Sequence, residues 1–281
     1  MKVEVVSPAS ITCMFTPERS DNPKLSGSYG VGIALKNGSR GICEENNEFR
    51  LIFKNCGEVR TVKTAISMLC RKMNGEDASL PASIVLEPEY PVGCGFGMSA
   101  SLTLSALIAV SKLHFGLDLI SLADIAHEAE VLSSTGLGDV TTQLHGGIVC
   151  RLKAASPSLA TVKKVDFPVS TLDILVLGEL DTKEALKEYD FSTGMLRMKE
   201  FLKKPDVRNL FHQSKMFALE SGVMDDEILD VVEAVEAAGG LASMVMLGKA
   251  VFAVNGFEAM REFGEPFRAE IDFNGLFHGI F

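Results

Sequence analysis

Three glycines alternate at positions 93, 95 and 97 in the stretch Pro91-Val92-Gly93-Cys94-Gly95-Phe96-Gly97-Met98-Ser99-Ala100-Ser101. Alternating glycines let backbone amides turn towards one point without interference from Cβ atoms. The apolar run from Met98 to Phe115 reads as a helix, whose first turn adds free amides and the positive end of its dipole. Together these features describe a cradle for phosphate, with the Ser99 hydroxyl placed for a magnesium ion or a phosphate oxygen. A packing turn, with Ser99 or Ser101 capping the helix, is the alternative. Two common nucleotide loops are disfavoured. No Gly-Lys-Ser/Thr closes the segment as a P-loop requires. Ser99 stands where the dinucleotide fingerprint needs its last glycine, and Ser111-Lys112-Leu113 runs where it needs an acid.

Two carboxylates come next. Glu130 lies near the end of a helical pattern over 119–132, and Asp139 follows beyond Gly136-Leu137-Gly138. Phosphoryl transfer needs a metal held by an acid, cradled phosphates, and a group that orients or deprotonates the attacking hydroxyl. Carboxylates on adjoining elements would supply the metal ligand and the base. Solvated or helix-capping acids are the alternative.

These segments resemble the GHMP kinase superfamily, whose second motif runs Pro-x-x-x-Gly-Leu-Gly-Ser-Ser-Ala. Pro91, Gly95, Gly97, Ser99 and Ala100 match it, while Phe96 replaces the leucine and Met98 the first serine. The family's acids lie in Ala-x-x-x-Glu, then Gly-x-Gly-x-Asp or Ser-Gly-x-Asp, then Gly-Gly. Here Ala126 to Glu130, Gly136-Leu137-Gly138-Asp139 and Gly146-Gly147 follow in that order. The resemblance implies an enzyme that uses ATP and Mg2+. Pro91, Gly93, Gly95, Phe96, Gly97, Met98, Ser99, Ala100 and Ser101 would surround the ATP phosphates. Ser99 and Glu130 would hold the metal, with Glu128 as the alternative ligand, and Asp139 would be the base. Pro8-Ala9-Ser10-Ile11-Thr12 is similar to the first motif, with Thr12 in place of asparagine and Ser10 where several members have lysine. Gly239 to Ala253 is the counterpart of the third motif, in which Lys249 is either a solvated turn residue or a phosphate contact.

Within the superfamily, Pro8-Ala9-Ser10-Ile11 with Phe15 and Pro17, Gly27-Ser28-Tyr29-Gly30, and Gly138-Asp139-Val140 through Gln143 to Arg151 are most similar to archaeal pantoate kinases. That branch implies phosphorylation of the primary hydroxyl of (R)-pantoate to 4-phosphopantoate in coenzyme A biosynthesis. The substrate would then be a small hydroxy acid bound by Ser28, Tyr29 and Arg151. Tyr29 stands where the branch often has arginine, and an arginine fork fits a carboxylate as tyrosine cannot. Arg151 is therefore the candidate carboxylate clamp, with a surface arginine at a strand end as the alternative. Homoserine, shikimate or mevalonate-type kinases, and a non-catalytic ligand-binding relative, are the rival readings.

The elements that must position these residues are legible in outline. The 281 residues are 47% apolar and 23% charged, as in a folded globular chain rather than a disordered one. A net charge of -10 argues against a nucleic-acid partner. The six cysteines form no C-x-x-C pair, so reduced thiols and a cytoplasmic location are expected. The N-terminus is too acidic for a signal peptide, and no apolar stretch is long enough for a membrane span. A strand is expected at Val3–Val6, an irregular loop to about Ser28, and strands at Tyr29–Leu35, Arg40–Cys43 and Glu48–Phe53. Helices follow over 59–73, 98–115 and 119–132, the last opened by a Ser121/Asp124 capping box. Beyond Asp166 come a buried strand at Leu172–Leu177, helices over 193–204, 207–221 and 226–238, two strands, a helix and a final strand. The order is that of an α+β protein. The family resemblance implies an N-terminal ATP-binding domain over 1–166, like the second domain of ribosomal protein S5. It also implies a ferredoxin-like α/β sandwich over 167–281, and it allows a homodimer.

Overall fold

A computed structural model describes residues 1–75 and 80–278. In chain order the elements are β1 (Lys2–Glu18), β2 (Gly27–Glu45), β3 (Arg50–Phe53), α1 (Arg60–Asn74), β4 (Ala82–Pro88), α2 (Met98–His114), α3 (Leu119–Ser133), α4 (Asp139–His145), β5 (Ile148–Lys153) and β6 (Thr161–Val165). They continue with β7 (Thr171–Gly178), α5 (Thr182–Glu188), α6 (Gly194–Lys203), α7 (Val207–Ser221), α8 (Asp226–Ala237), β8 (Leu241–Met244), β9 (Lys249–Val254), α9 (Phe257–Met260), β10 (Phe267–Glu270) and α10 (Gly275–His278).

Strands β1 to β6 form one sheet, and β10-β7-β9-β8 a second. The change from one to the other falls between Val165 and Thr171. β2 organises the first sheet. It pairs with β1 along nearly its whole length, with β4 from Ser39 to Glu45 and with β5 from Gly30 to Ile33. The loop expected before Ser28 is therefore mostly strand. Pro8 interrupts the hydrophobic alternation, but the chain absorbs it at a register shift between Ser7 and Ala9 and stays paired. A short 3-10 turn at Pro23–Leu25 is what remains of the loop.

α2 lies against β1 and β2 and is flanked by α1 and α3. It is buried from Ser101 to Ser111, as an apolar helix without a polar face must be. Its small residues let it approach the sheet closely: a Cβ on Gly41 would stand 3.0 Å from Ser105 Cβ. The Ser101 hydroxyl donates to Ser39 Oγ at 2.8 Å, so these two buried hydroxyls are paired. The cap of α3 differs from expectation. Asp118 accepts from Ser121 N at 2.9 Å, whereas Asp124 accepts from Ser158 N and Oγ across the fold. Helices α7 and α8 cover the second sheet. The sheets are joined where Met246 N donates to Thr12 O at 3.0 Å and Asp272 N to Ala34 O at 3.0 Å. Among the described residues, no helix is long and apolar enough to cross a membrane.

Candidate active site

The glycine loop leaves β4 and enters α2 with Gly93, Gly95 and Gly97 at φ of 87°, 87° and 58°. Two of these positions exclude a side chain for a visible reason. A Cβ on Gly95 would stand 2.7 Å from Val245 Cγ1, because the β8–β9 turn packs on the loop. A Cβ on Gly97 would overlap Ser10 Oγ and lie 2.9 Å from Gln143 Nε2. Gly97 caps α2, and Ser101 N is already bonded to Gly97 O at 3.1 Å. The amides of Met98, Ser99 and Ala100 thus have no acceptor within the helix.

Met98 and Ser99 border a cleft also lined, among others, by Thr12, Gly93, Gly95, Gly97, Asp139 and Leu247. A smaller hollow adjoins it. Phe15, Leu137, Leu186 and Leu247 form its apolar side, and Ser28, Asp139, Arg151, Thr12 and Thr182 its polar side. Thr12, Asp139, Thr182 and Leu247 border both spaces, so Asp139 stands at their junction.

Ser99 and Glu130, from different helices, meet directly. The Ser99 hydroxyl donates to Glu130 Oε1, which also accepts from Thr135 Oγ1 at 2.9 Å. Glu130 is only 1% exposed, and no cation among the described residues pairs with it. Burial, helped by the neighbouring Asp139 charge, pushes its carboxyl up to about 7 against the two hydroxyl bonds. Glu128 is not beside Ser99 but 3.7 Å from Lys24, because residues two apart on a helix face different ways.

Asp139 opens α4, where Gly138 turns the chain. Its Oδ1 accepts from Ser10 Oγ at 2.9 Å. Burial raises its pKa, opposed by the Arg151 charge and the Ser10 bond. Arg151 is not on the surface: it is 2% exposed, donating from Nε to Ser28 O at 3.2 Å and from Nη1 to Thr142 Oγ1 at 3.0 Å. No protein acceptor among the described residues meets its Nη2, and the side chain borders the smaller hollow. Gly136 and Gly138 make room for the charges. A Cβ on Gly136 would overlap Glu130 Oε2 and lie 3.1 Å from Asp139 Oδ2, and one on Gly138 would stand 2.5 Å from Arg151 Cζ.

Not every expected residue lines these spaces. Tyr29 is half-buried against the core and borders neither. Pro91 is exposed outside the cleft, and Ala100 and Ser101 have their side chains in the core of α2. Lys249 does not line the cleft; it is half-exposed and pairs with Asp225 at 2.9 Å and with Glu227 at 2.5 Å. Conversely, Thr12, Thr135, Thr182 and Leu247 line the cleft without having been singled out as site residues. Ser10 and Gln143 support it from behind.

Residues 60–147 match the model of the GHMP kinases N terminal domain. The pantoate kinase of Methanocaldococcus jannaschii is 30% identical over 266 residues, covering 91% of this chain and 94% of that protein. That of Thermococcus kodakarensis is 29% identical over 267 residues, covering 90% and 88%. A solved structure described as a phosphotransferase related to the CoA biosynthesis pathway superposes with a TM-score of 0.86 at 26% identity, covering 97% of each chain. A homoserine kinase from Cytophaga hutchinsonii shares the fold at a TM-score of 0.70 and 18% identity. With a cleft floored by a glycine loop, on this α+β architecture, the chain belongs to the GHMP kinases. Within that class its family is that of the archaeal pantoate kinases.

Proposed function

We propose that the chain transfers the terminal phosphoryl group of ATP to the primary hydroxyl of (R)-pantoate, giving ADP and 4-phosphopantoate for coenzyme A biosynthesis. The observation that carries this reading is Asp139 at the junction of the cleft and the smaller hollow. In our reading the phosphates lie on the amides of Gly95 to Ala100, and the acceptor lies in the hollow. Arg151 Nη2 meets its carboxylate, while Phe15, Leu137 and Leu186 meet its geminal methyl groups.

The attacking oxygen forms its bond to the terminal phosphorus as the bond to the bridging oxygen breaks, and its proton passes to Asp139. Burial makes this carboxylate a stronger base than an exposed one, opposed by the Arg151 charge and the Ser10 bond.

Magnesium fits Ser99 and Glu130. Both offer hard oxygens, and Glu130 is a buried carboxylate lacking a cation. Among the described residues no three His, Cys, Asp or Glu side chains gather for a metal, so nucleotide phosphates would complete the coordination. The ion would neutralise charge on the phosphate oxygens.

Asp139→Asn tests the assignment. It keeps shape and the Ser10 bond but removes the base, and is expected to lower kcat by about 10²–10⁴-fold while ADP affinity persists. A kcat within a few-fold of the parent would end the claim.

A further inference from the structure

Behind Asp139 lies a chain of hydrogen bonds that reaches the glycine loop. Gln143 is fully buried, and its Nε2 donates to Ser10 Oγ at 3.0 Å and to Gly97 O at 2.9 Å. Ser10 Oγ in turn donates to Asp139 Oδ1 at 2.9 Å, and Ser10 N donates to Phe96 O at 3.0 Å.

The direction of this chain follows from chemistry. Gly97 O is a carbonyl and only accepts, so the amide must present its nitrogen there; the reverse flip would oppose two acceptors. With both N–H groups of Gln143 committed, Ser10 Oγ receives one of them and its own proton points to Asp139. The cost of this arrangement is visible: Gln143 Oε1 is buried without a partner among the described residues. A side chain present only to fill space would not need a polar amide there, and the orphan oxygen marks the donors as the purpose.

We infer that Gln143 and Ser10 are positioning residues that couple the phosphate loop to the base. One amide holds the carbonyl of Gly97, the residue whose left-handed conformation starts α2, and the same amide sets the hydroxyl that orients Asp139. When phosphate settles on the first-turn amides of α2, the loop geometry it selects is transmitted to the carboxylate through three hydrogen bonds. Ser10 thus supplies a donor to the base from the strand position where several superfamily members carry lysine. The inference deepens the proposed function and rests on Asp139 acting on the acceptor hydroxyl.

The two residues should separate in a split of turnover from nucleotide affinity. Ser10→Ala removes the bond to Asp139 and the one accepted from Gln143 but leaves Gln143 on Gly97 O, and is expected to lower kcat about tenfold, the scale of a hydrogen bond to a charged group. ADP affinity, measured by titration calorimetry, should stay within about twofold. Gln143→Met keeps the volume but removes the amide from Gly97 O, which keeps only Ser101 N, and from Ser10 Oγ. It is expected to lower kcat by a similar factor and to weaken ADP binding by about three- to tenfold. In the double variant kcat should fall no further than in the lower single variant, while ADP affinity should match Gln143→Met. Gln143→Leu replaces the methionine variant should that fail to fold, and urea midpoints give the folded fraction. Independent, multiplicative losses in kcat would overturn the relay, as would unchanged ADP affinity in the Gln143 variants. Should Asp139→Asn retain turnover, the base assignment falls, but the effect of Gln143 on ADP affinity is read without catalysis and still decides the coupling to Gly97.

Discussion

Replacing Glu130 by glutamine should make the nucleotide-free protein more stable while damaging catalysis. The carboxyl is held at about 7 against an ordinary 4.5, chiefly by burial. Below the ordinary value both folded and unfolded chains carry the proton, and burial of the group costs nothing through ionisation. Between there and about 7 the unfolded chain releases its proton while the folded one retains it, so stability falls as pH rises. Above that range the whole penalty stands. A tenfold change in proton affinity is 1.36 kcal/mol, so the penalty is about 3 kcal/mol near pH 8. Glutamine stays neutral and can still accept from Ser99 and Thr135. Glu130→Gln is thus expected to gain about 2–3 kcal/mol in urea unfolding near pH 8, and less than about 1 kcal/mol near pH 5. Its turnover should collapse and its magnesium requirement rise. A stability difference that does not change with pH, or a loss at every pH, would refute the reasoning.

Arg151→Lys removes the planar fork while keeping a charge, and should raise KM for the acceptor acid about 10–100-fold with ATP affinity preserved; steady-state kinetics on each substrate checks this. Gly97→Ala forces a Cβ into left-handed backbone and onto Ser10, and should lower stability by about 1–3 kcal/mol and weaken ADP binding, as unfolding curves and calorimetry would report. Gly138→Ala pushes on the Arg151 guanidinium, so KM for the acceptor should rise while ADP binding changes little.

What the sequence revealed was local. The glycine loop and the apolar α2 announce themselves by composition and periodicity within one stretch, and α7 is placed at Val207–Ser221 by its amphipathic spacing alone. β1 was harder, because Pro8 and the serines around it look like a loop unless the long partner β2 is known. The same blind spot hid Ser10, whose importance comes from Asp139 and Gln143, both more than a hundred residues away. α5 is a short, highly charged helix capped by Asp181, without the apolar stripe that marks a helix, so Thr182 and Leu186 were not foreseen at the cleft. Leu247 enters from the β8–β9 turn, at φ 61°, through packing against the glycine loop that no neighbouring residue encodes. Arg151 carried an ambiguity between clamp and surface, and only the closure of β5 on β2 settles that it is buried.

The central claim is the acceptor, and phosphorus NMR on the purified protein with Mg-ATP tests it directly. Offered (R)-pantoate, homoserine, shikimate and mevalonate separately, the protein is expected to consume ATP fastest with pantoate and to yield a phosphomonoester coupled to the methylene protons of its primary alcohol. Faster turnover with another of these hydroxy compounds, or ADP formation with no phosphorylated pantoate, would contradict it.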